Sequence, residues 1–251
     1  MHNFFVDNKN READRYFITG TDHNHIKNVL RMHIGDTFLV SCDGSSNLCQ
    51  LCSLDETTAV AEIIEENYKD TNLSIDIYLF QGLPKSDKME LIIQKAVELG
   101  VKAIVPVEMS RCVVKLEEKK KKSKQTRWQA IAESAAKQSK RNAVPQVYEA
   151  VSYKKALEIA KKLDILLVPY ENKDGMVATK EAITKIKSGM SVGIIIGPEG
   201  GFEENEIDAA IKSGGNSISL GKRILRTETA AITAVGMCML YAEMNLEDES
   251  K

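Results

Sequence analysis

Long apolar runs are missing from this sequence. Nowhere does it approach the roughly 18 consecutive apolar residues that a membrane helix needs, so no membrane association is expected. The opening Met1-His2-Asn3-Phe4-Phe5 has no basic-then-apolar signal region, and the expectation that follows is a cytoplasmic protein. Cysteine is sparse and odd in number, at Cys42, Cys49, Cys52, Cys112 and Cys238, which argues against a disulfide framework. Cys49 and Cys52 have C-x-x-C spacing but no second pair or nearby His pair to complete a zinc site. They fall in a strand-like run and read as packing residues, so no metal is expected.

An excess of charge of one sign is also missing. Thirty-four basic and 36 acidic side chains leave a net charge of −2, which does not advertise a polyanion-binding surface. Placement still matters more than the sum. Basic residues cluster at Lys115, Lys119 to Lys122, Lys124 and Arg127, then at Lys137, Lys140 and Arg141. Taken alone, the Lys119–Lys124 run reads as a solvated helix face or mobile loop.

The common nucleotide and hydrolase signatures are absent too. No G-x-G-x-x-G follows a strand. Gly215 to Lys222 resembles a phosphate loop, but five residues intervene where four are required, and Arg223 stands where Ser or Thr belongs. There is no G-x-S-x-G. His23, His25 and His33 sit together in the N-terminal part and read as structural residues.

What is present is a globular composition, 43% hydrophobic and 28% charged over 251 residues, with a change of rhythm near residue 70. Residues 1–70 read as a small β-rich domain. Short strand-like runs lie at Phe38–Val40, Leu48–Leu51 and Ala59–Ile64, with turn signals at Gly35-Asp36 and Asp43 to Asn47. A helix capped by Asp22, with Ile26, Val29 and Leu30 as its apolar stripe, is expected among them. The polar stretch Glu65–Asn72 reads as a linker.

From residue 73 to 251 strands and helices alternate, which implies a parallel sheet covered on both faces. Ile75–Phe80, Val101–Val107, Ile165–Val168, Met190–Ile196 and Ile218–Leu220 are expected strands. Expected helices start at Ser86-Asp87, with apolar Met89, Ile92, Ile93, Ala96 and Val97 before a stop at Gly100. Others span about Lys124–Ser139, Tyr153–Lys162, Glu203–Ser213 and Thr229–Glu243.

Two strand-to-loop junctions carry the chemistry. Ile194-Ile195-Ile196 runs into Gly197-Pro198-Glu199-Gly200-Gly201. Ligands of parallel sheets bind at the carboxyl ends of strands, and glycines let backbone approach a ligand without side-chain clash. The second junction has the same layout: a short strand, then Leu220-Gly221-Lys222-Arg223-Ile224-Leu225-Arg226, then an almost wholly apolar helix. Side by side, the loops make one pocket. Leu220, Ile224 and Leu225 suit an adenine ring, and Arg226 suits an anionic or carbonyl oxygen.

The combination G-P-E-G-G-F-x-x-x-E-I with L-G-K-R-I-L-R-T-E-T-A resembles the RsmE family of 16S ribosomal RNA (uracil-N3)-methyltransferases, of the SPOUT superfamily. Likeness extends over nearly the whole chain. It includes His25 to Arg31 followed by Gly35-Asp36, Pro84-Lys85 through Lys88-Met89, Gln94 to Val101, Arg127-Trp128, and Gln138 with Arg141 and Pro145. Val97 stands where Thr is common in the family, and the polylysine run looks idiosyncratic.

The resemblance implies an α/β C-terminal domain with a deep trefoil knot, an exception to unthreaded topology, and a PUA-like N-terminal domain. It implies S-adenosylmethionine as cofactor, held by Leu167, Pro169, Ile196, Gly197, Pro198, Gly200, Gly201, Leu220, Gly221, Ile224 and Leu225. It also implies a homodimer, to which the apolar surface of the last helix (Ile232, Val235, Met237, Met239, Leu240) is suited. The substrate would be 16S ribosomal RNA, free or within the 30S subunit.

N3 of uracil carries a proton at neutral pH, so the reaction needs its removal and stabilisation of charge on O2 and O4. Arg226 or Arg223 suits the second task. Glu199 or Glu228 suits the first if burial raises its pKa; the rival role, accepting backbone N–H groups, is expected more for Glu228. N3 lies on the Watson–Crick edge, so the target must be unpaired or flipped out. Arg11, Arg15, Arg31, Lys85, Lys88, Arg111 and Arg141 are the candidate RNA contacts. Two other readings fit the sequence: a non-catalytic RNA-binding protein, and a methyltransferase of the same superfamily acting on transfer RNA or a ribose hydroxyl.

Overall fold

A computed structural model describes residues 1–85, 87–170 and 175–246. The chain forms two compact units. One comprises Met1–Asn72 with Ala136–Val144; the other comprises Leu73–Ala135 and the chain from Pro145 on.

The first unit is built on a six-stranded sheet: β1 (Asn3–Phe5), β2 (Arg11–Glu12), β3 (Arg15–Thr19), β4 (Thr37–Cys42), β5 (Ser45–Leu54) and β6 (Thr58–Glu65), in the order β1-β4-β5-β6-β3-β2. All its pairings are antiparallel except β1 with β4. Inward-facing Phe4, Tyr16, Ile18, Phe38, Val40, Cys49, Leu51, Ala59 and Ala61 form the core. Cys49 is fully buried, and that burial pushes its thiol up to about 12, which fits packing rather than reactivity.

The helix expected after Asp22 is different in detail. It starts at Gly20 as α1 (Gly20–Asn24) and widens into a π-turn over His25–Val29. Asp22 lies inside the first turn rather than at the cap, and its carboxylate pairs with Lys137 at 2.9 Å. The wider i→i+5 turn changes the angle between successive side chains. Ile26 is therefore buried while Val29 of the expected stripe is exposed.

The second unit is a parallel α/β layer. Its strands are β7 (Asp76–Gly82), β8 (Ala103–Glu108), β9 (Gln146–Val147), β10 (Val151–Ser152), β11 (Ile165–Pro169), β12 (Ser191–Ile196) and β13 (Gly215–Ile218). The order is β10-β8-β7-β12-β11-β13, with β9 also on β8, and every pairing is parallel. Its central strands are apolar along their length and buried, as expected for a sheet covered on both faces. The helices are α2 (Lys88–Glu98), α3 (Glu118–Ser139), α4 (Tyr153–Ala160), α5 (Met176–Ile183), α6 (Glu204–Lys212) and α7 (Thr227–Asn245). α7 packs on α2, β7 and β12.

All five apolar positions expected on α2 are buried, and Gly100 ends that segment at φ +93°. Asp87 is the N-cap residue of α2; Ser86, also expected there, lies outside the described residues. Two expectations are corrected and one helix is added. α3 begins at Glu118, so the polylysine run is helical, started by Glu117 and Glu118 pairing with Lys120 and Lys121. α5 was not expected; its short, Thr- and Lys-interrupted pattern gives little periodicity. The last strand is Gly215–Ile218 instead of Ile218–Leu220, because only Gly214 (φ +91°) is needed to turn the chain after α6. Among the described residues no helix is long and apolar enough to cross a membrane.

Candidate active site

Two loops meet at the carboxyl edge of the parallel sheet. The first leaves β12 at Ile196. A turn closes when the Gly201 amide donates to the Pro198 carbonyl (2.9 Å), and Gly201 takes φ +70°. Glu203 and Glu206 then form a capping box that starts α6. The buried Glu206 carboxylate also accepts the Ser110 amide at 2.9 Å, and Arg111 reaches both Glu203 (2.7 Å) and the Gly200 carbonyl (3.1 Å). The loop after β8 thus clasps the loop after β12. Gly82, at the end of β7, lies so close beneath that a Cβ there would meet the Pro198 nitrogen at 2.7 Å.

The second loop leaves β13 and reaches α7 through Gly221, at φ +107°. The hydroxyl of Thr179, on α5, donates to the Ser219 carbonyl (2.8 Å) and accepts the Ser219 amide (2.9 Å). One buried side chain on an unexpected helix therefore fixes where this loop begins.

A third side chain joins the loops. The Thr227 hydroxyl donates to the Gly197 carbonyl at 2.6 Å and accepts from the Gln81 amide at 2.9 Å. Gln81 and Thr227 are both buried. On the outer side, the Lys88 ammonium lies 3.0 Å from Glu199 and 3.4 Å from Glu228, one carboxylate from the first loop and one from the first turn of α7. Glu199 also accepts the Lys85 amide at 3.0 Å. Burial alone would raise the Glu199 pKa, but the Lys88 ammonium and the Lys85 amide outweigh it and hold the carboxyl below its ordinary value. The Glu199 hydrogen bond is also the main reason that the Lys88 pKa is raised.

Between the loops lies a cleft of about 990 Å³. Pro169, Ile196, Gly197, Pro198 and Gly201 line it from the β11 and β12 side, and Leu220, Gly221, Ile224 and Leu225 from the second loop. Glu199, Arg223, Arg226 and Lys88 border the same space, with Arg111 at its β8 side. Arg223 and Arg226 are exposed and, among the described residues, carry no ion pair that would compete with a ligand. Ile224 is 94% exposed, an apolar side chain held in water at the mouth.

Several expected site residues lie elsewhere. Leu167 is wholly buried in the middle of β11, and it is Pro169, at the end of that strand, that lines the cleft. Gly200 faces the Arg111 side chain, whose Cβ would lie 2.8 Å from an added methyl, and does not line the cleft. Arg141 is buried in the first unit, and its carbonyl accepts from Asn3 and Ser41. Such a side chain is not presented to phosphate. Arg11 and Arg15 belong to the first unit and pair with Glu66 (2.6 Å) and Glu62 (3.6 Å), while Arg31 is exposed there at φ +52°. Lys85 is exposed in the second unit. The proposal of a base with a raised pKa is also corrected for Glu199, whose shift runs the other way. The role of accepting backbone N–H, expected for Glu228, falls to Glu199.

Sequence reasoning missed Gln81, Thr179 and the lining residues Tyr170, Phe202 and Ser219. Thr227 stood inside a motif without a role. The only available signal was a buried polar residue at a strand end, visible for Gln81 just after Leu79-Phe80.

An open cleft of this size at the carboxyl edge of a parallel sheet, lined by glycine-rich loops and bordered by Arg223 and Arg226, which have no ion pair among the described residues, defines an enzyme-type site for a nucleotide-like ligand. Residues 71–239 match the RNA methyltransferase domain family. The chain is 38% identical to ribosomal RNA small subunit methyltransferase E of Bacillus subtilis (strain 168), covering 99% of this chain and all of that protein. It is 35% identical to the protein of the same name from Mesomycoplasma hyopneumoniae (strain 232), over 95% and 99% of the two chains. A crystal structure of a ribosomal RNA small subunit methyltransferase E from Neisseria gonorrhoeae, bound to S-adenosyl methionine, is 31% identical, with a TM-score of 0.80 over 96% of this chain and 97% of that one. The chain belongs to the ribosomal RNA small subunit methyltransferase E family of RNA methyltransferases.

Proposed function

We propose that this protein uses S-adenosylmethionine to methylate N3 of a uridine in 16S ribosomal RNA of the small subunit. The observation that carries the reading is the Thr227–Gly197 hydrogen bond (2.6 Å), which makes two separate motifs one cleft, in a chain of this family. The cleft fits the cofactor chemically. Its volume, about 990 Å³, exceeds that of many small-ligand sites. It offers apolar Ile196, Leu220 and Leu225 for an adenine ring. Gly197, Gly201 and Gly221 leave backbone polar groups open to the ribose and the amino-acid portion. When bound, S-adenosylmethionine supplies a methyl group activated on a positively charged sulfonium.

The chain's own residues then have to place the uracil and manage its proton. Arg223 and Arg226, which have no competing ion pair among the described residues, suit the charge that spreads onto O2 and O4 as N3 loses its proton. Glu199, held ionised by Lys88, is suited to fixing the loop; Glu228, beside the same lysine, is left as the candidate base. Half-buried Arg11 and exposed Arg15, Arg31, Lys85 and Arg111 suit phosphate contacts.

The knot, the PUA-like character and RNA-binding role of the first 70 or so residues, a homodimer, a 30S context and a cytoplasmic location complete the reading. The knot is supported by the two family motifs meeting at one edge. A dimer is supported by apolar surface left on α7, where Leu240 and Met244 are exposed.

Calorimetric titration with S-adenosylmethionine tests the reading. Binding heat that is lost when Gly197 or Gly221 is made bulky supports it. No heat and no thermal shift would instead favour an RNA-binding protein without catalysis.

A further inference from the structure

The lysine run at the start of α3 has no part in the cleft or its motifs. Residues 115–127 hold six lysines, one arginine and two glutamates, in a chain whose net charge is −2. The arrangement works against its own helix. Lys119, Lys120 and Lys121 stand in the first turns of α3, where the dipole disfavours cations. Lys119 and Lys122 are three residues apart and Lys120 and Lys124 four, so like charges are neighbours on the helix surface. Some of this is neutralised: Lys120 pairs with Glu117, Lys121 with Glu108 and Glu118, and Lys122 with Glu149. Among the described residues Lys115, Lys119 and Lys124 have no ion pair, and Lys115, Lys119, Lys120 and Lys122 are exposed.

The position of the run is set by a half-buried member. Lys121 lies 3.2 Å from Glu108, the last residue of β8. That brings the start of α3 to the carboxyl edge of the sheet, the edge that carries the cleft. Arg111, three residues beyond Glu108, borders the cleft itself. Lys88, Arg111 and the α3 lysines therefore follow one another along a single edge, outward from the cleft past β8.

We infer that the lysine-rich start of α3 is an RNA-backbone contact, taking phosphates that flank the target nucleotide. This rests on the proposed methylation of ribosomal RNA. A polyanion is the occupant that the charge selects: it relieves the repulsion among the lysines and meets the positive end of the helix. Flexible lysines without a planar fork suit phosphates read as charge rather than bases read by shape.

The test is filter binding of a 16S ribosomal RNA transcript over a salt series, with wild type and the triple variant Lys119→Gln, Lys122→Gln, Lys124→Gln. Each lost phosphate contact lowers the slope of log K against log salt by about 0.7 to 0.9, so the loss of three is expected to lower it by about 2 to 3. Affinity should weaken at low salt, S-adenosylmethionine binding should be unchanged, and the melting temperature should be equal or higher. The Lys→Arg triple should restore the slope.

A slope equal to wild type, or the same loss in the arginine variant, would overturn the inference. So would a loss confined to assembled subunits and absent on naked RNA, which would point to a ribosomal protein. Wild-type protein that methylates normally while the slope does not respond overturns this surface alone. Wild type that neither binds nor methylates RNA overturns the functional reading with it.

Discussion

The hydroxyl of Thr227 lies 2.6 Å from the carbonyl oxygen of Gly197, and through that contact the first turn of α7 holds the loop after β12. The two residues are 30 positions apart. Replacing Thr227 by Val keeps the shape and removes the donor. The Gly197 carbonyl would then lose the Thr227 donor, and the Gln81 amide would lose one of its two acceptors while keeping the Gly82 carbonyl; a buried group left without its partner costs about 1–3 kcal/mol. Thr227→Val is expected to lower the melting temperature and weaken cofactor binding, whereas Thr227→Ser should keep both. Thermal unfolding with parallel calorimetry checks this.

Gly82 gives a steric version of the same experiment. An added methyl would meet the Pro198 nitrogen and the Met109 sulfur, each at 2.7 Å. The Met109 side chain can move, but the Pro198 backbone cannot without shifting the whole loop. Gly82→Ala is expected to destabilise the protein by about 1–3 kcal/mol, as overpacking does, and to weaken S-adenosylmethionine binding. Denaturant melts and cofactor titration would register both.

The architecture was largely legible because buried parallel strands are continuous apolar runs, and Ile194-Ile195-Ile196 ending in Gly197 announces both a strand and its end. The cleft was legible for the same reason: its lining is loop backbone at strand ends. What escaped were contacts made by single polar side chains across long separations. Nothing near Thr179 in the sequence points to Ser219, 40 residues away. Nor does a raised or lowered carboxyl follow from residue type. Glu199 was open to either until Lys88 and the Lys85 amide were found beside it.

Charge around Glu199 makes a pH prediction. Its pKa is held below the ordinary value near 4.5, so its ionised form binds Lys88 and the Lys85 amide better in the folded state. That contribution to stability is present above pH 4.5 and is lost as pH falls through the lowered value. Glu199→Gln should therefore flatten the acid side of the stability curve and leave the neutral side with a constant offset. Lys88→Met should move the Glu199 titration upward. Melts across the carboxylate range, and carboxyl NMR of both proteins, would detect these changes; an unchanged acid limb would contradict the assignment.

Arg226 is exposed and, among the described residues, has no ion pair, so its removal should cost the fold little, within about 0.5 kcal/mol. Its expected role is electrostatic, and the loss of one such donor typically lowers turnover about 100-fold or more. Arg226→Ala should melt like wild type and bind S-adenosylmethionine, yet transfer methyl groups poorly. Single-turnover methylation measures this, and undiminished transfer would remove Arg226 from the chemistry. The same assay on Arg223→Ala separates the two arginines.

The most direct test of the whole account is product identification. Purified protein would be incubated with S-adenosylmethionine carrying a labelled methyl group and small ribosomal subunits from a strain lacking the gene. The RNA would then be digested to nucleosides and the labelled product identified. The account predicts label in N3-methyluridine from 16S ribosomal RNA. Label on a ribose hydroxyl, label in transfer RNA added as competitor, or no transfer at all would contradict it.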